Sequence, residues 1–159
     1  MTEQILEIAH VLQVPAGSVR KLAMLSLGRG AVDESPFNPS EELSLVVGCW
    51  MLSMHGTATD PVVLLVKELQ PWFQKIAPEI GNAWHGSAED PVPGYELHIA
   101  DGRYVVWGNN EQFWDLMDLR YLNPLPMPPV WRTSIHLAGL YFRYQSRRLR
   151  SKDGESSTN

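Results

Sequence analysis

Apolar residues recur at the spacing of a helical face along most of the first half of the chain. The first such stretch, residues 2–13, starts with Thr2 as a suitable N-cap and has its apolar face at Ile5, Ile8, Ala9 and Leu12. The second follows Pro15 and runs to about Leu27, with its apolar face at Val19, Leu22, Ala23 and Leu25. We therefore predict two short helices joined by a tight turn.

Two longer helices are predicted next. A loop rich in glycine and proline over residues 28–39 ends the second helix, and Ser40 is expected to cap a third helix that extends to about Met54. Asp60-Pro61 combines an N-cap residue with proline at the first helical position and predicts the start of a fourth helix. Pro71 and Pro78 lie inside the apolar pattern of that helix, and we expect them to bend or break it.

A change in composition divides the chain after these helices. Residues 86–94 hold two prolines, two glycines and two acidic residues, a composition that disfavours both helix and strand. We predict a helical domain over residues 1–85, a linker over 86–94, a small α+β domain over 95–150 and a disordered polar tail over 151–159. The fold class is therefore predicted to be α+β.

The second part of the chain has the alternation typical of strands. Two such runs flank Asp101-Gly102, a dipeptide that favours a two-residue hairpin turn. That turn would place Leu97 opposite Val106 and Ile99 opposite Tyr104. We further predict a helix over 110–121, a proline-rich loop over 123–129 and a third strand over 130–137. A final helix over 137–149 would bury Leu140, Tyr141, Tyr144 and Leu149.

Composition narrows the function classes. The single cysteine, Cys49, excludes a disulfide framework and a multi-cysteine zinc site. We see no signal peptide and no apolar stretch long enough to span a membrane, so we expect a cytoplasmic protein without membrane contact. The net charge is −5, and residues 1–80 carry five basic and nine acidic residues. Such a balance is unusual for a nucleic-acid binder, although a local basic face can suffice.

Signals of catalysis are weak. The histidines His10, His55, His85, His98 and His136 are scattered, and no pair has the spacing of metal ligands. No glycine-rich phosphate loop follows a predicted strand, and Cys49 lies within an apolar helical run where a thiol is typically inert. We therefore predict a non-enzymatic protein with no catalytic residues, no metal site and no cofactor.

Residues 5–22 carry the strongest functional signal, because they resemble a helix-turn-helix. Ala9 occupies the position where two helices cross closely, and Val19 would pack the second helix onto the first. Gln13 stands where this pattern often has glycine. The arrangement would direct Ser18, Arg20 and Lys21 outward, towards bases and phosphates.

The wider order of elements over residues 4–70 resembles a MerR-type winged helix-turn-helix domain. The third helix is preceded by Phe37-Asn38-Pro39, and in that family an aromatic residue here closes a small wing. The resemblance implies DNA binding by a homodimer, with Ser18, Arg20 and Lys21 on the recognition helix and Arg29 in the wing.

Two functions follow from this pattern. The first is a DNA-binding transcriptional regulator whose residues 95–150 dimerise the protein or sense a partner. The second is a protein-interaction module, such as an antitoxin or a phage-type adaptor, built on the same helical scaffold. The basic cluster at 143–152 has two interpretations as well: a solvated helix end, or a contact to phosphate or to an acidic partner.

Overall fold

Helices make up most of the structure, a computed structural model that describes residues 2–30, 33, 35–55, 59–87, 89–100, 104–108 and 132–156. Three short strands accompany them, so the fold is broadly α+β as predicted. In chain order the elements are α1 (Glu3–Leu12), α2 (Ala16–Ser26), α3 (Pro39–His55), α4 (Thr59–His85), β1 (Glu96–Ala100), β2 (Tyr104–Gly108), β3 (Arg132–His136) and α5 (Leu137–Ser156).

The first two helices end where their local signals predict. The Thr2 hydroxyl accepts a hydrogen bond from the Ile5 N–H at 3.3 Å and caps α1. Gln13 takes the left-handed conformation, with a φ of 56°, which allows the Val14 N–H to donate to the Ala9 carbonyl at 3.0 Å. Gly28, with a φ of 67°, also takes the left-handed conformation, just after the end of α2. Both helix predictions are confirmed.

A capping box starts α3 two residues earlier than expected. The Asn38 Oδ1 atom accepts hydrogen bonds from the N–H groups of Ser40 and Glu41, both at 3.0 Å. The Glu41 carboxylate in turn accepts from the Asn38 N–H at 2.9 Å. The prediction of Ser40 as the cap is therefore wrong, because Pro39 takes the first helical position and leaves Asn38 outside it.

Helix α4 continues through both of its internal prolines. Pro71 and Pro78 are exposed, and the carbonyls whose hydrogen bonds they remove belong to Lys67 and Gln74, which are exposed as well. Water can satisfy those carbonyls. The opposite face is buried along its whole length, at Val66, Leu69, Phe73, Ile76 and Ile80. Burial of that face keeps the helix continuous, so the expected break is wrong. The helix begins at Thr59, one residue before the predicted cap.

Gly48 brings three helices together at the centre of the core. A Cβ atom at this position would lie 3.0 Å from the Leu22 side chain of α2 and 3.1 Å from the Val66 side chain of α4. Leu22 and Val66 are themselves fully buried. The missing side chain of Gly48 therefore lets α2 and α4 pack directly against α3.

The strands form one antiparallel sheet in the order β2-β1-β3. Leu97 lies opposite Trp107 and Ile99 opposite Val105, so three residues rather than two connect β1 to β2. The predicted register is wrong by one position for this reason. The predicted third strand is confirmed as β3. The predicted helix over 110–121 and the loop over 123–129 lie outside the described residues.

Helix α5 packs on the helices of the first half of the chain. It contacts α1, α3 and α4, and Tyr141 and Tyr144 belong to the same buried core as those helices. The helix continues to Ser156, so the part of the predicted tail up to that residue is helical. Leu149, expected to be buried, is 55% exposed. Residues 86–94 are irregular where described, and α5 returns from beyond them to the helical core.

This packing predicts the behaviour of a chain cut in the irregular segment. Pro91 and Val92 are exposed, so a specific protease site inserted between them should be cleaved under native conditions. Because α5 shares its core with α1 and α3, we expect the two fragments to coelute at the volume of the intact protein in size-exclusion chromatography. Separation of the fragments without denaturant would contradict the shared core. The control is the parent chain, which lacks the inserted site, treated with the same protease.

Candidate nucleic-acid interface

The outer face of α2 carries the residues expected to contact nucleic acid. Arg20 and Lys21 are exposed, and Ser18 is half-buried. The Lys21 Nζ atom lies 3.1 Å from Asp60 Oδ1, in an ion pair whose side chains are 47% and 82% exposed. Exposed pairs of this kind contribute about 0–1 kcal/mol. Lys21 can therefore exchange Asp60 for another anion at little cost.

The inner face of α2 fixes the helix against its neighbours. Ala9 of α1 is buried at the crossing, and Val19 and Leu22 of α2 are fully buried. At the far end of α2, the buried Ser26 hydroxyl donates to the Val63 carbonyl of α4 at 3.3 Å. The orientation of Arg20 and Lys21 therefore follows from packing on the opposite side of their own helix.

Arg29, by contrast, forms hydrogen bonds within its own loop and to the first turn of α3. Its guanidinium makes five hydrogen bonds, which use all five of its N–H donors. The acceptors are Glu41, Asp33, Ser35 and the Pro36 carbonyl, and the group lies 5.2 Å from the centre of the Phe37 ring. No donor is left for a phosphate in this conformation, so a contact between Arg29 and DNA, which stays a prediction, would require these hydrogen bonds to open.

The electrostatics of this loop are those of a structural cluster. Hydrogen bonds from Ser35, followed by the bond and charge of Arg29, lower the pKa of Asp33 to about 2. Hydrogen bonds to Glu41 and Asp33 raise the pKa of Arg29 above its ordinary value. The described residues between α2 and α3 contain no strand. A cluster of charged side chains, Arg29, Asp33 and Glu41, therefore connects the described residues between α2 and the start of α3, where the sequence predicted a wing.

Three apolar side chains at or near the C-terminal end of α2 are exposed. Met24 and Leu25 are 39% and 49% exposed, and Leu64 on α4 is 63% exposed. Ser26 and Val63, which join the two helices, are the chain neighbours of Leu25 and Leu64. Leu25, predicted to face the core, is turned outward. The surface of α2 is thus apolar at its C-terminal end and basic nearer its middle.

The basic cluster at 143–152 divides between two faces of α5. Arg143, Arg147 and Arg150 are exposed. Arg148 is half-buried and bridges two carboxylates, with 2.9 Å to Glu42 and 2.9 Å to Glu7. Lys152 also pairs with Glu7, at 3.1 Å. Neither predicted interpretation covers the whole cluster, because one part of it is structural and the other faces solvent.

Glu42 is the residue that sequence reasoning missed. Its carboxylate accepts hydrogen bonds from four side chains of α5, at 2.9–3.2 Å: Tyr141, Tyr144, Gln145 and Arg148. Burial, followed by the negative charge of Glu42, raises the pKa of both tyrosines, so both hydroxyls stay protonated and donate. The sequence signal was the helical spacing of these donors along one face of α5.

Cys49 and possible metal ligands are the remaining candidates for chemistry in the described part of the chain. Cys49 is fully buried, and burial raises the pKa of its thiol to about 12. Within the described ranges, no group of three or more His, Cys, Asp or Glu side chains is placed to hold a metal ion. Of the helices described, none has the length and apolar character that crossing a bilayer requires.

Comparison with known proteins adds no further assignment. No protein-family model matches the chain, and neither a curated protein nor a solved structure matches it. The functional argument therefore depends on the geometry described above.

The Glu7 site makes a prediction about stability and pH. Burial alone would raise the pKa of Glu7, but hydrogen bonds and charge from Arg148 and Lys152 outweigh it, so the folded-state pKa lies below the ordinary value of 4.5. A carboxyl of this kind stabilises the fold above its unfolded pKa, and the contribution disappears as the pH falls through the folded pKa. We therefore expect Glu7→Gln to cost stability at neutral pH and progressively less below pH 4.5.

Urea unfolding of the wild type and Glu7→Gln across the acid range measures this difference directly. Comparing the two proteins at each pH removes the contribution of the other carboxylates. Glu89→Gln, at an exposed loop position, is the matched control and should follow the wild type. Parallel curves for the wild type and Glu7→Gln would show that Glu7 titrates alike in the folded and unfolded states.

Proposed function

We propose that this chain is a DNA-binding regulator and that α2 is its recognition helix. The observation that carries the proposal is the outer face of α2, where Arg20 and Lys21 stand side by side on a helix anchored from behind by Val19 and Leu22. A rigid helix with basic side chains on its free face can enter the major groove, where such side chains contact base edges and phosphates.

The turn before α2 supports the same proposal. A tight connection at Gln13 brings α1 across α2, with Ala9 buried at the contact. In helix-turn-helix proteins the first helix crosses the DNA backbone and steadies the second. The order of α1, α2, a loop, α3 and α4 is consistent with a MerR-type arrangement, in which the Arg29 loop takes the place of the wing. We propose on this basis that Ser18, at the start of α2, also faces the DNA.

The proposed regulator acts as a homodimer. One recognition helix covers only a few base pairs, and dimers of such domains gain affinity by engaging two half-sites one helical turn apart. We assign dimerisation, or the sensing of a partner, to residues 95–150, which include the sheet. Within the cell, the cytoplasm is the compartment that suits this function.

A second function has its own supporting observation. Met24, Leu25 and Leu64 are exposed together at the C-terminal end of α2, and apolar side chains grouped in this way are typical of protein contacts. The net charge of −5 also favours a protein partner over DNA. The alternative is therefore an interaction module, of the antitoxin or adaptor kind, that uses the same helix to bind protein.

The decisive variant removes both basic side chains of α2. We expect Arg20→Ala with Lys21→Ala to weaken binding to duplex DNA by about tenfold or more, since each base or phosphate contact contributes about 1–3 kcal/mol. Fluorescence anisotropy with a labelled duplex at low salt measures the affinity. Both side chains are exposed, so circular dichroism should show an unchanged fold.

Lys67→Ala removes an exposed charge from α4 and is the matched control, with an affinity close to that of the wild type. Equal binding by the double variant and the wild type would exclude α2 as the recognition helix. A wild-type chain that does not bind DNA at low salt would exclude the regulator and leave the protein-binding module.

A further inference from the structure

A cavity lies where the turn between α1 and α2 meets α3 and α5. Its volume is about 400 Å³, within the range of about 300–1,000 Å³ typical of small-ligand sites. Its walls include Leu12, Gln13, Trp50, Leu140, Arg143 and Arg147. None of these residues belongs to the outer face of α2, so the cavity is separate from the proposed DNA contact.

Two arginines give the cavity its charge. Arg143 and Arg147 are one helical turn apart on α5, and both are exposed. Within the described part of the chain they have no hydrogen bond or ion pair, and none of the described residues lining the cavity is acidic. Arg148, on the neighbouring face, is by contrast bound to Glu42 and Glu7. Two unpaired guanidinium groups at one cavity suit a phosphate, which accepts several N–H bonds from each.

The rest of the wall is apolar and includes an aromatic ring. Leu12, Trp50 and Leu140 are all partly buried and packed against the core. Tyr144 lies behind them, 1% exposed, with its hydroxyl 3.2 Å from Glu42. This side of the cavity is therefore held in place by the core, and it offers an indole and two aliphatic side chains to a flat apolar group.

Gln13, at the rim of this cavity, has a strained backbone conformation. It is the only described residue other than glycine with a positive φ, and glycine would take that conformation without strain. Residues held in such conformations cluster at ligand sites, which makes the Gln13 side chain a candidate for a ligand contact. The amide of Gln13 is exposed, and it can both donate and accept a hydrogen bond.

We propose that this cavity binds a nucleoside monophosphate. The phosphate pairs with Arg143 and Arg147, the base packs on Trp50 between Leu12 and Leu140, and the Gln13 amide bonds to a polar edge of the ligand. The chemistry recognised is a phosphate joined to a planar base, which a free nucleotide and a nucleic acid share. This inference does not depend on the proposed function, because it uses none of the α2 residues tested above.

Isothermal titration calorimetry of the full chain tests the proposal with AMP, GMP, CMP and UMP. The comparison ligands are the four nucleosides, inorganic phosphate and a short DNA duplex. We expect saturable binding of at least one monophosphate, and binding of its nucleoside and of inorganic phosphate that is weaker by about tenfold or more. The difference between the nucleotide and its nucleoside measures the contribution of the arginines. The difference between the nucleotide and inorganic phosphate measures the contribution of the apolar wall.

Three variants locate the site. Arg143→Ala with Arg147→Ala should weaken nucleotide binding by about tenfold or more. Arg150→Ala removes another exposed charge from the same helix, outside the described lining of the cavity, and should leave the affinity unchanged within about twofold. Gln13→Gly should raise the Tm by relieving the backbone strain at this position, and it should also weaken nucleotide binding. A residue with only a structural role would not combine higher stability with weaker binding.

Several results would overturn the proposal. They are the absence of saturable binding by any of the four nucleotides, equal affinity for inorganic phosphate, and an equal loss of affinity in the Arg150 variant. Binding of the DNA duplex through Arg143 and Arg147 without binding of any mononucleotide would also overturn it. That last result would make the cavity part of a DNA surface and would leave the test of α2 unaffected.

Discussion

The position of α5 depends on one carboxylate. Glu42, in the first turn of α3, accepts hydrogen bonds from two tyrosines, a glutamine and an arginine of α5. These partners are separated from Glu42 by 99–106 residues along the chain, so the interaction closes the fold from its C-terminal end back to its first half. Arg148 extends the network to Glu7 and thereby joins α1 to the same assembly. A half-buried carboxylate is stable here because it has four donors to replace water.

Both candidate sites are consequences of this closure and of the crossing of α1 and α2. The outer face of α2 is free because its inner face is occupied by Ala9 of α1 and by the helices at Gly48. The cavity exists because the Glu42 network draws one face of α5 onto the core. The adjoining face, with Arg143 and Arg147, is then left beside the turn at Gln13. One network therefore separates the structural basic residues of α5 from those available to a ligand.

The sequence predicted most accurately what local interactions decide. The limits of α1 and α2 follow from Thr2, Gln13 and Gly28, each of which acts within one turn of its own helix. Other predictions failed where two local choices were nearly equal. Asn38 and Ser40 are both good caps, and the hairpin register differs by a single residue in the connection.

The candidate site was predictable in part. The exposure of Arg20 and Lys21 follows from the helical period, whereas the enclosure of Arg29 depends on how the loop turns back towards Glu41. Periodicity also placed Tyr141 and Tyr144 on the inner face of α5, whereas the composition of residues 86–94 assigned that helix to a second domain. No spacing rule connects them to Glu42 across about a hundred residues, since that contact depends on the packing of whole helices.

A double-mutant cycle between Glu42 and Arg148 tests this account most directly. The variants are Glu42→Gln, Arg148→Met and the two combined, each measured by urea unfolding at neutral pH. Each single change removes the opposite charge across this contact, although Arg148 keeps Glu7 and Glu42 keeps its three neutral donors. We expect each change to lower the free energy of unfolding by about 2–4 kcal/mol. The combined variant should lose less than the sum, with a coupling energy of about 1–3 kcal/mol. Losses that add within about 0.5 kcal/mol would contradict the account, because the position of α5 would not then depend on this interaction.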